Sequence, residues 1–274
     1  MPTAPTFELA PGAGPSWRAP RAGEALRGAS ARELARIEDK VLEGGRITPE
    51  EGLYLHEHAD VLLLGRLADH VRWTRHPSAR VTYIVDRNLN PTNVCITDCG
   101  FCAFYRRPGA EGAYVLERDE IHRRVQDLAD QGGRQLLMQG GHHPYLKTDW
   151  WCELIADLRA RWPQINSHAL SAPELDHLSK LDKRPVEEVI ADLAAAGWGS
   201  LPGAGAEMLV ERVRRIIAPK KTPSDRWLDI HRKTHEAGLR SSATMLFGHV
   251  ETPAERIEHL ELSLIHISEP TRPE

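Results

Sequence analysis

The chain has 274 residues, enough to bury a sizeable core as one large domain. Its 35 Lys and Arg against 39 Asp and Glu leave a formal net charge of -4, which argues against a general nucleic-acid or membrane-surface binder. No apolar run approaches the ~18 residues of a membrane-spanning helix, and four cysteines, three of them clustered, make no disulfide framework, so a reducing, cytoplasmic setting is expected.

The N-terminus, MPTAPTFELAPGAGPSW, lacks a charged stretch followed by an apolar core, so it is not a signal peptide. Its Pro, Ala and Gly content predicts a flexible leader over residues 1–29. Residues 30–76 read as a helical element, with Leu34, Ile37, Val41 and then Val61, Leu64, Leu67, Val71 recurring at helical spacing. TPEE at Thr48, TPSD at Thr222 and TPAE at Thr252 each predict a Thr N-cap with Pro at the first helical position and an acid three residues on, and SARE at Ser30 is a fourth capping box. After Pro77 the pattern changes. Short apolar runs at 81–85, 135–138, 165–170, 200–202 and 241–247 alternate with amphipathic helical stretches, and Gly132, Gly197 and Gly238 stand where helices should end. Strand and helix repeating at ~30–50 residues predict βα units around a parallel sheet, an α/β fold. Periodicity alone leaves open whether that sheet is open or closes toward a barrel.

In a βα barrel the chemistry sits at the C-terminal ends of the strands. Here those ends carry Asn88, Asn90 and Asn93, then Gln139, Gly140, Gly141 and His142, then Ser171 and Glu174, then Gly203 and Glu207, then Gly248, His249 and Glu251. The first end leads into NPTNVCITDCGFCAFYRR, which holds Cys95, Cys99 and Cys102. Three thiolates spaced C-x3-C-x2-C suit zinc or an iron–sulfur cluster. A structural zinc site needs four ligands. No second cysteine pair exists, and Cys152, on a predicted helix, reads as a packing residue; His142 or His143 keeps a zinc module open as an alternative. A four-iron cube with three protein ligands leaves one iron open to a small molecule.

CITDCGFC, with aromatic Phe101 before the last cysteine, resembles the signature of radical S-adenosylmethionine (SAM) enzymes, C-x3-C-aromatic-C. The resemblance implies a partial (β/α) barrel, a [4Fe–4S] cluster ligated by Cys95, Cys99 and Cys102, and SAM on the open iron. Along residues 30–261, LLMQGGHHP, HALSAPE, SLPGAGAEML, VRRIIAPKK and ATMLFGHVET resemble the cyclic dehypoxanthine futalosine synthase family of menaquinone biosynthesis. Its relatives, aminofutalosine synthase and the tyrosine-using deazaflavin FO synthase, are the alternatives within the superfamily. SAPE and PGAGAE depart from the SPPE and PGGGAE expected in the family, at the third and fourth strand ends. The resemblance implies hydrogen abstraction from the substrate ribose and ring closure on its benzoate, with an electron donor such as flavodoxin or ferredoxin and no nucleic-acid or membrane partner. Phe101 and Tyr105 would flank the cofactor. Gln139, Gly140 and Gly141 would meet its methionyl amine, Ser171 and Glu174 its methionyl or ribose groups, and Gly248, His249 and Glu251 its adenine. The final proton needs a base; His168 is the candidate, the other reading being a satisfied core histidine. APKK at 218–221 reads as a solvated basic turn, a grip on the substrate carboxylate being the other reading.

The end of the chain breaks the pattern. Residues 262–272, LSLIHISEPTR, match the translation of a transposase-library sequencing adapter. The expectation is therefore a barrel over 77–261 with its last strand missing, followed by an artefactual tail over 262–274.

Overall fold

The computed structural model describes residues 6–8 and 29–267, with side chains from 31 to 263. Two compact units divide it, Met1–Tyr83 with Thr252–Glu261, and Ile84–Glu251 with Leu262–Glu274. The remaining leader residues, 1–5 and 9–28, and the tail residues 268–274 lie outside the described residues.

In the first unit, helices α1 (Ala29–Leu42), α2 (Pro49–His58) and α3 (Val61–Arg75) bury the apolar stripe read from the sequence. Leu34, Ile37, Val41, Leu55, Leu63 and Leu67 form its core. Leu64 and Val61 do not join it; they face solvent, and Leu63 takes the inward position. Thr48 caps α2 in a complete capping box with Glu51. Lys40, Thr48 and Arg36 all bond to the Glu51 carboxylate and hold it at about 2. The Ser30 side chain lies outside the described residues. Strand β1 (Thr6–Glu8) pairs antiparallel with β2 (Arg80–Thr82).

The second unit holds a five-stranded parallel sheet of β3 (Asp86–Asn88), β4 (Gln135–Met138), β5 (Asn166–Ala169), β6 (Ser200–Leu201) and β7 (Arg240–Ser241), in that order. Consecutive strands are neighbours throughout, the winding of a (β/α) barrel segment. Helices α4 (Arg118–Asp130), α5 (Thr148–Arg161), α6 (Ala172–Asp182), α7 (Val186–Ala195), α8 (Glu211–Ile217) and α9 (Ser224–Glu236) connect the strands. Alternate strand residues, Leu136, Met138 and Ala169, meet Ile121, Val125, Leu154, Ile155, Val189 and Leu193 in one continuous core. Gly132, Gly197 and Gly238 adopt positive φ as helix terminators. Among the described residues no helix is long and apolar enough to cross a membrane.

Three local readings need correction. The first strand of the sheet is Asp86–Asn88, not 81–85. Val81, Tyr83 and Ile84 are more than half exposed, so apolarity marked a surface stretch, while the sheet strand carries polar residues. Thr222 does not cap α9. It is buried, and its hydroxyl donates to Asp176 Oδ2 at 2.9 Å. The fifth strand is ordered as ladder only at Arg240–Ser241; beyond it, backbone and side-chain bonds to β6 and the loop after it replace the ladder. At the other end, Thr252 and Glu255 form a capping box for α10 (Pro253–Ile267), which runs on into the stretch read as a tail.

Candidate cofactor cleft at the strand ends

The loop after β3 is anchored at several points before it presents its thiols. Thr92 Oγ1 donates to the Tyr114 carbonyl, and Asn93 bridges Gly112 and Tyr114 with its amide. The Cys95 N–H donates to the Arg106 carbonyl at 2.9 Å, and the Gly100 N–H to the Ile217 carbonyl at the end of α8, at 2.8 Å. Asp98 takes a positive φ inside the motif and accepts from Arg107 and Lys220, both at 2.9 Å.

These anchors set Cys95, Cys99 and Cys102 on the wall of one cleft of about 220 Å³. Gln139, Gly140 and Gly141 after β4 and Ser171 and Glu174 at the start of α6 line the same cleft. Gly141 has φ +67, and a Cβ there would meet Cys95 Cβ and Sγ at 3.1 and 3.2 Å. The position therefore needs glycine both for its left-handed backbone and for room beside a thiol. The His142 N–H points at Cys95 Sγ, 3.3 Å away, and the Thr97 hydroxyl lies at the same distance. Burial pushes the Cys99 thiol up to about 11, with the Lys221 ammonium pulling the other way.

Glu174 ties two parts of this lining together. One carboxylate oxygen accepts the N–H groups of Gly140 and Gly141, at 2.7 and 2.9 Å. The other accepts the Ser171 N–H and hydroxyl, at 2.7 and 2.6 Å. A carboxylate at a helix N-terminus is favourable in itself; here it also ties that helix to the end of β4. Both oxygens are thus engaged by the chain, so Glu174 shapes the cleft through the glycines.

The solvated-turn reading of APKK fails at Lys221. This side chain lines the cleft, pairs with Glu207 Oε1 at 2.5 Å and lies 5.4 Å from the Phe101 ring centroid. Burial opposes its charge, but Glu207 and Cys99 outweigh burial and raise its affinity for the proton. Sequence reading missed it because Lys220 and Lys221 look alike; only Lys220 faces out, toward Asp98. His142 also lines the cleft. Burial, with His177 and Lys221 adding, pushes it down to about 3, so the ring is neutral.

Of the residues singled out by sequence, Phe101, Tyr105, Gln139, Gly140, Gly141, Ser171 and Glu174 share this cleft with the three cysteines. Gly248, His249 and Glu251 do not line it. Their segment closes on itself, the Gly248 and His249 N–H groups donating to Glu251 at 2.6 and 3.0 Å. His168 lies in a separate hollow on the face of the sheet, its ring nitrogens 2.7 Å from Ser200 Oγ and 3.2 Å from Ser242 Oγ. Burial lowers its proton affinity. Cys152 stands apart on α5, half-buried and packed against the main core.

The donor set suits an iron–sulfur cube. Three soft thiols line a single roomy cleft without a fourth cysteine, and one of them is packed against a glycine that leaves its sulfur uncrowded.

Comparison with known proteins agrees. The radical SAM superfamily model matches residues 89–263. The chain is 44% identical over 233 residues to a cyclic dehypoxanthine futalosine synthase of Streptomyces coelicolor, covering 84% of this chain and 58% of the relative. It is 39% identical over 237 residues to an aminodeoxyfutalosine synthase of Thermus thermophilus, covering 86% and 63%. The chain thus spans about three-fifths of the length of these relatives. Among solved structures, the [FeFe]-hydrogenase maturase HydG superposes with a TM-score of 0.64 at 19% identity, covering 91% of this chain and 54% of that one, a likeness of fold.

Proposed function

Because the chain belongs to the radical SAM superfamily, we propose that it carries the cofactor-binding barrel of a cyclase that converts dehypoxanthine futalosine to cyclic dehypoxanthine futalosine in menaquinone biosynthesis. The observation that carries the site is the set of three C-x3-C-x2-C thiols on one cleft that the Gly140–Gly141 turn also lines, Gly141 lying against Cys95. The choice of reaction rests on the 44% identity over 84% of the chain. The zinc-module reading gives way to superfamily membership.

The cofactors are a [4Fe–4S] cluster and SAM. When bound, they supply a one-electron cleavage that yields a carbon radical able to remove a hydrogen atom from an unactivated C–H bond. Cys95, Cys99 and Cys102 would ligate the cluster. Gln139, Gly140 and Gly141 would hold the methionyl end of SAM, with Ser171 beside them and Glu174 fixing the turn from behind. Phe101 and Tyr105 would flank the cofactor and keep water from the reacting atoms. Gly248, His249 and Glu251 have no part in this assignment, since they lie outside the cleft. His168, kept neutral by burial, would accept the proton released when the product ring regains aromaticity. The reductant would be a small electron carrier such as flavodoxin or ferredoxin, and the setting the cytoplasm.

Anaerobic reconstitution with iron and sulfide should give a brown protein with one four-iron cluster, and adding SAM should shift its EPR signal. Cys95→Ala, Cys99→Ala and Cys102→Ala should each abolish the signal. Stoichiometric zinc with no cluster after reconstitution would end this reading. A homologue of full family length carrying these motifs should turn dehypoxanthine futalosine into a product two hydrogens lighter, with 5'-deoxyadenosine alongside. Consumption of tyrosine and a diaminouracil instead would move the assignment to the deazaflavin branch.

A further inference from the structure

The three thiols of the motif stand in unequal surroundings. Cys99 is buried beside Met208, Val213 and Ile217, with the Lys221 charge acting on it. Cys102 is half-buried at the edge of the same apolar group. Among the described residues no hydrogen-bond donor reaches the sulfur of either. Cys95 differs. The His142 N–H points at its Sγ from 3.3 Å, and the Thr97 hydroxyl lies 3.3 Å away as well.

Thr97 is the unusual partner. It is 2% exposed, and among the described residues Cys95 Sγ is the one hydrogen-bond partner of its hydroxyl. A threonine in a turn ordinarily bonds a nearby backbone group. Here the Gly100 N–H, three residues on, is taken by the Ile217 carbonyl. Valine has nearly the same shape and would fill this position without burying a hydroxyl, which costs free energy unless it is paired. The sulfur is the group that accounts for the hydroxyl. While Cys95 is a thiol, either side of the pair can donate. A metal ligand is the thiolate, which only accepts. Once Cys95 is deprotonated, the Thr97 proton has to turn toward sulfur, and the bond becomes charge-assisted inside a buried loop.

Hydrogen bonds to the ligand sulfurs are among the determinants of an iron–sulfur potential. Reduction adds negative charge that the sulfurs share, so a donor to sulfur favours the reduced form. We propose that Thr97 acts through Cys95 to raise the reduction potential of the [4Fe–4S] cluster, making it easier for a small electron carrier to reduce. Thr97 is a positioning residue, since it touches neither substrate nor the reacting atoms. The inference rests on the cluster reading of the three thiols and adds which sulfur the chain uses to set the potential.

The test is redox potentiometry of the reconstituted, cluster-loaded chain without SAM or substrate, the reduced cluster being counted by EPR at graded potentials. Thr97→Val should make the reduction equilibrium about tenfold less favourable, a midpoint lower by about 59 mV for one electron. Thr97→Ser, which restores the hydroxyl, should stay within about twofold of wild type. A hydroxyl that serves only to hold the loop would change the melting of the cluster-free chain and leave the midpoint where it was. An unchanged or higher midpoint in Thr97→Val, or a fall in Thr97→Ser as large as that in Thr97→Val, would therefore overturn the proposal. Should Thr97→Val not retain a cluster, Thr97→Ala removes the same proton and carries the same expectation. Wild type gives a second measurement. Electron–nuclear double resonance of its reduced cluster in H2O and D2O should show two exchangeable protons, from Thr97 and the His142 N–H, and a single one would overturn the proposal. A wild-type chain that takes up no cluster at all would end the cluster reading itself, whereas a loaded cluster indifferent to Thr97 ends this inference alone.

Discussion

Glu174 shows how much one side chain can organise. It is 3% exposed and accepts four hydrogen bonds, two from the glycines of the cleft and two from Ser171. Hydrogen bonds to a charged acceptor contribute ~1.5–3 kcal/mol each, and orphaned buried donors cost further. Glu174→Ala should therefore lower stability by about 3 kcal/mol or more in urea unfolding and weaken SAM binding, while Glu174→Gln should lose less on both counts. Equal stability of Glu174→Ala and wild type would remove this tying role. At this scale the thiols were legible in sequence because their spacing is chemical. Glu174 was legible as a site residue, but its job was not, because its partners are 33 and 34 residues away. Lys221 was misassigned for the same reason: Glu207 and Phe101 reach it only through the fold.

Elements tell a similar story through the Thr-Pro starts. Thr48, Thr222 and Thr252 share one grammar, yet only Thr48 and Thr252 cap. Local geometry decides a cap when nothing else competes for the hydroxyl. At Thr222 the buried Asp176 competes and wins, in a cluster with Lys180 and Arg226. Thr48→Ala should cost about 1 kcal/mol. Thr222→Val, which keeps the shape and removes the donor, should cost about 1–2 kcal/mol by leaving a buried carboxylate one partner short. A thermal melt of each variant checks both, and a neutral Thr222→Val would show that Asp176 is satisfied without it. Strands were legible where both faces repeat, as at Gln135–Met138, which matches its run residue for residue. The first strand was misplaced because its inward face is polar, which periodicity reads as loop. The same polarity marks Asn166 and His168, and the single histidine drew notice while its amide and hydroxyl neighbours did not.

For the molecule as a whole, buried histidines set the response to acid. Burial is the leading cause that holds His142 at about 3 and His168 below its ordinary value of 6.5. The Ser200 hydrogen bond and the Asp86 charge raise the proton affinity of His168 without offsetting burial. A base that titrates lower in the fold than in the unfolded chain draws protons to the unfolded state. Its contribution is thus complete above about pH 6.5 and declines as pH falls toward 3. For Asp176 and Asp182 burial raises proton affinity, but bonds to Lys180, Arg226 and Thr222, and to Thr148, reverse it, so both titrate below 3.8. Their contribution is present above about pH 4 and is lost below it. Urea midpoints measured against pH should therefore decline in two stages, one beginning near 6.5 and a steeper one beginning near 4. His168→Gln should shallow the first stage; an unchanged first stage would place the pH response elsewhere.

The bond from the Gly100 N–H to the Ile217 carbonyl joins the thiol loop to a helix end roughly 120 residues later in the chain. A ribosome adding ~5–20 residues per second reaches that helix on the order of ten seconds after the third cysteine emerges. Until then the loop lacks one of its fixed points, and its sulfurs are open to oxidation and to stray metal. Cluster delivery is thus expected late in the life of the nascent polypeptide, and a cell starved of iron would accumulate chains whose β3–β7 strands have paired and whose thiols are still waiting.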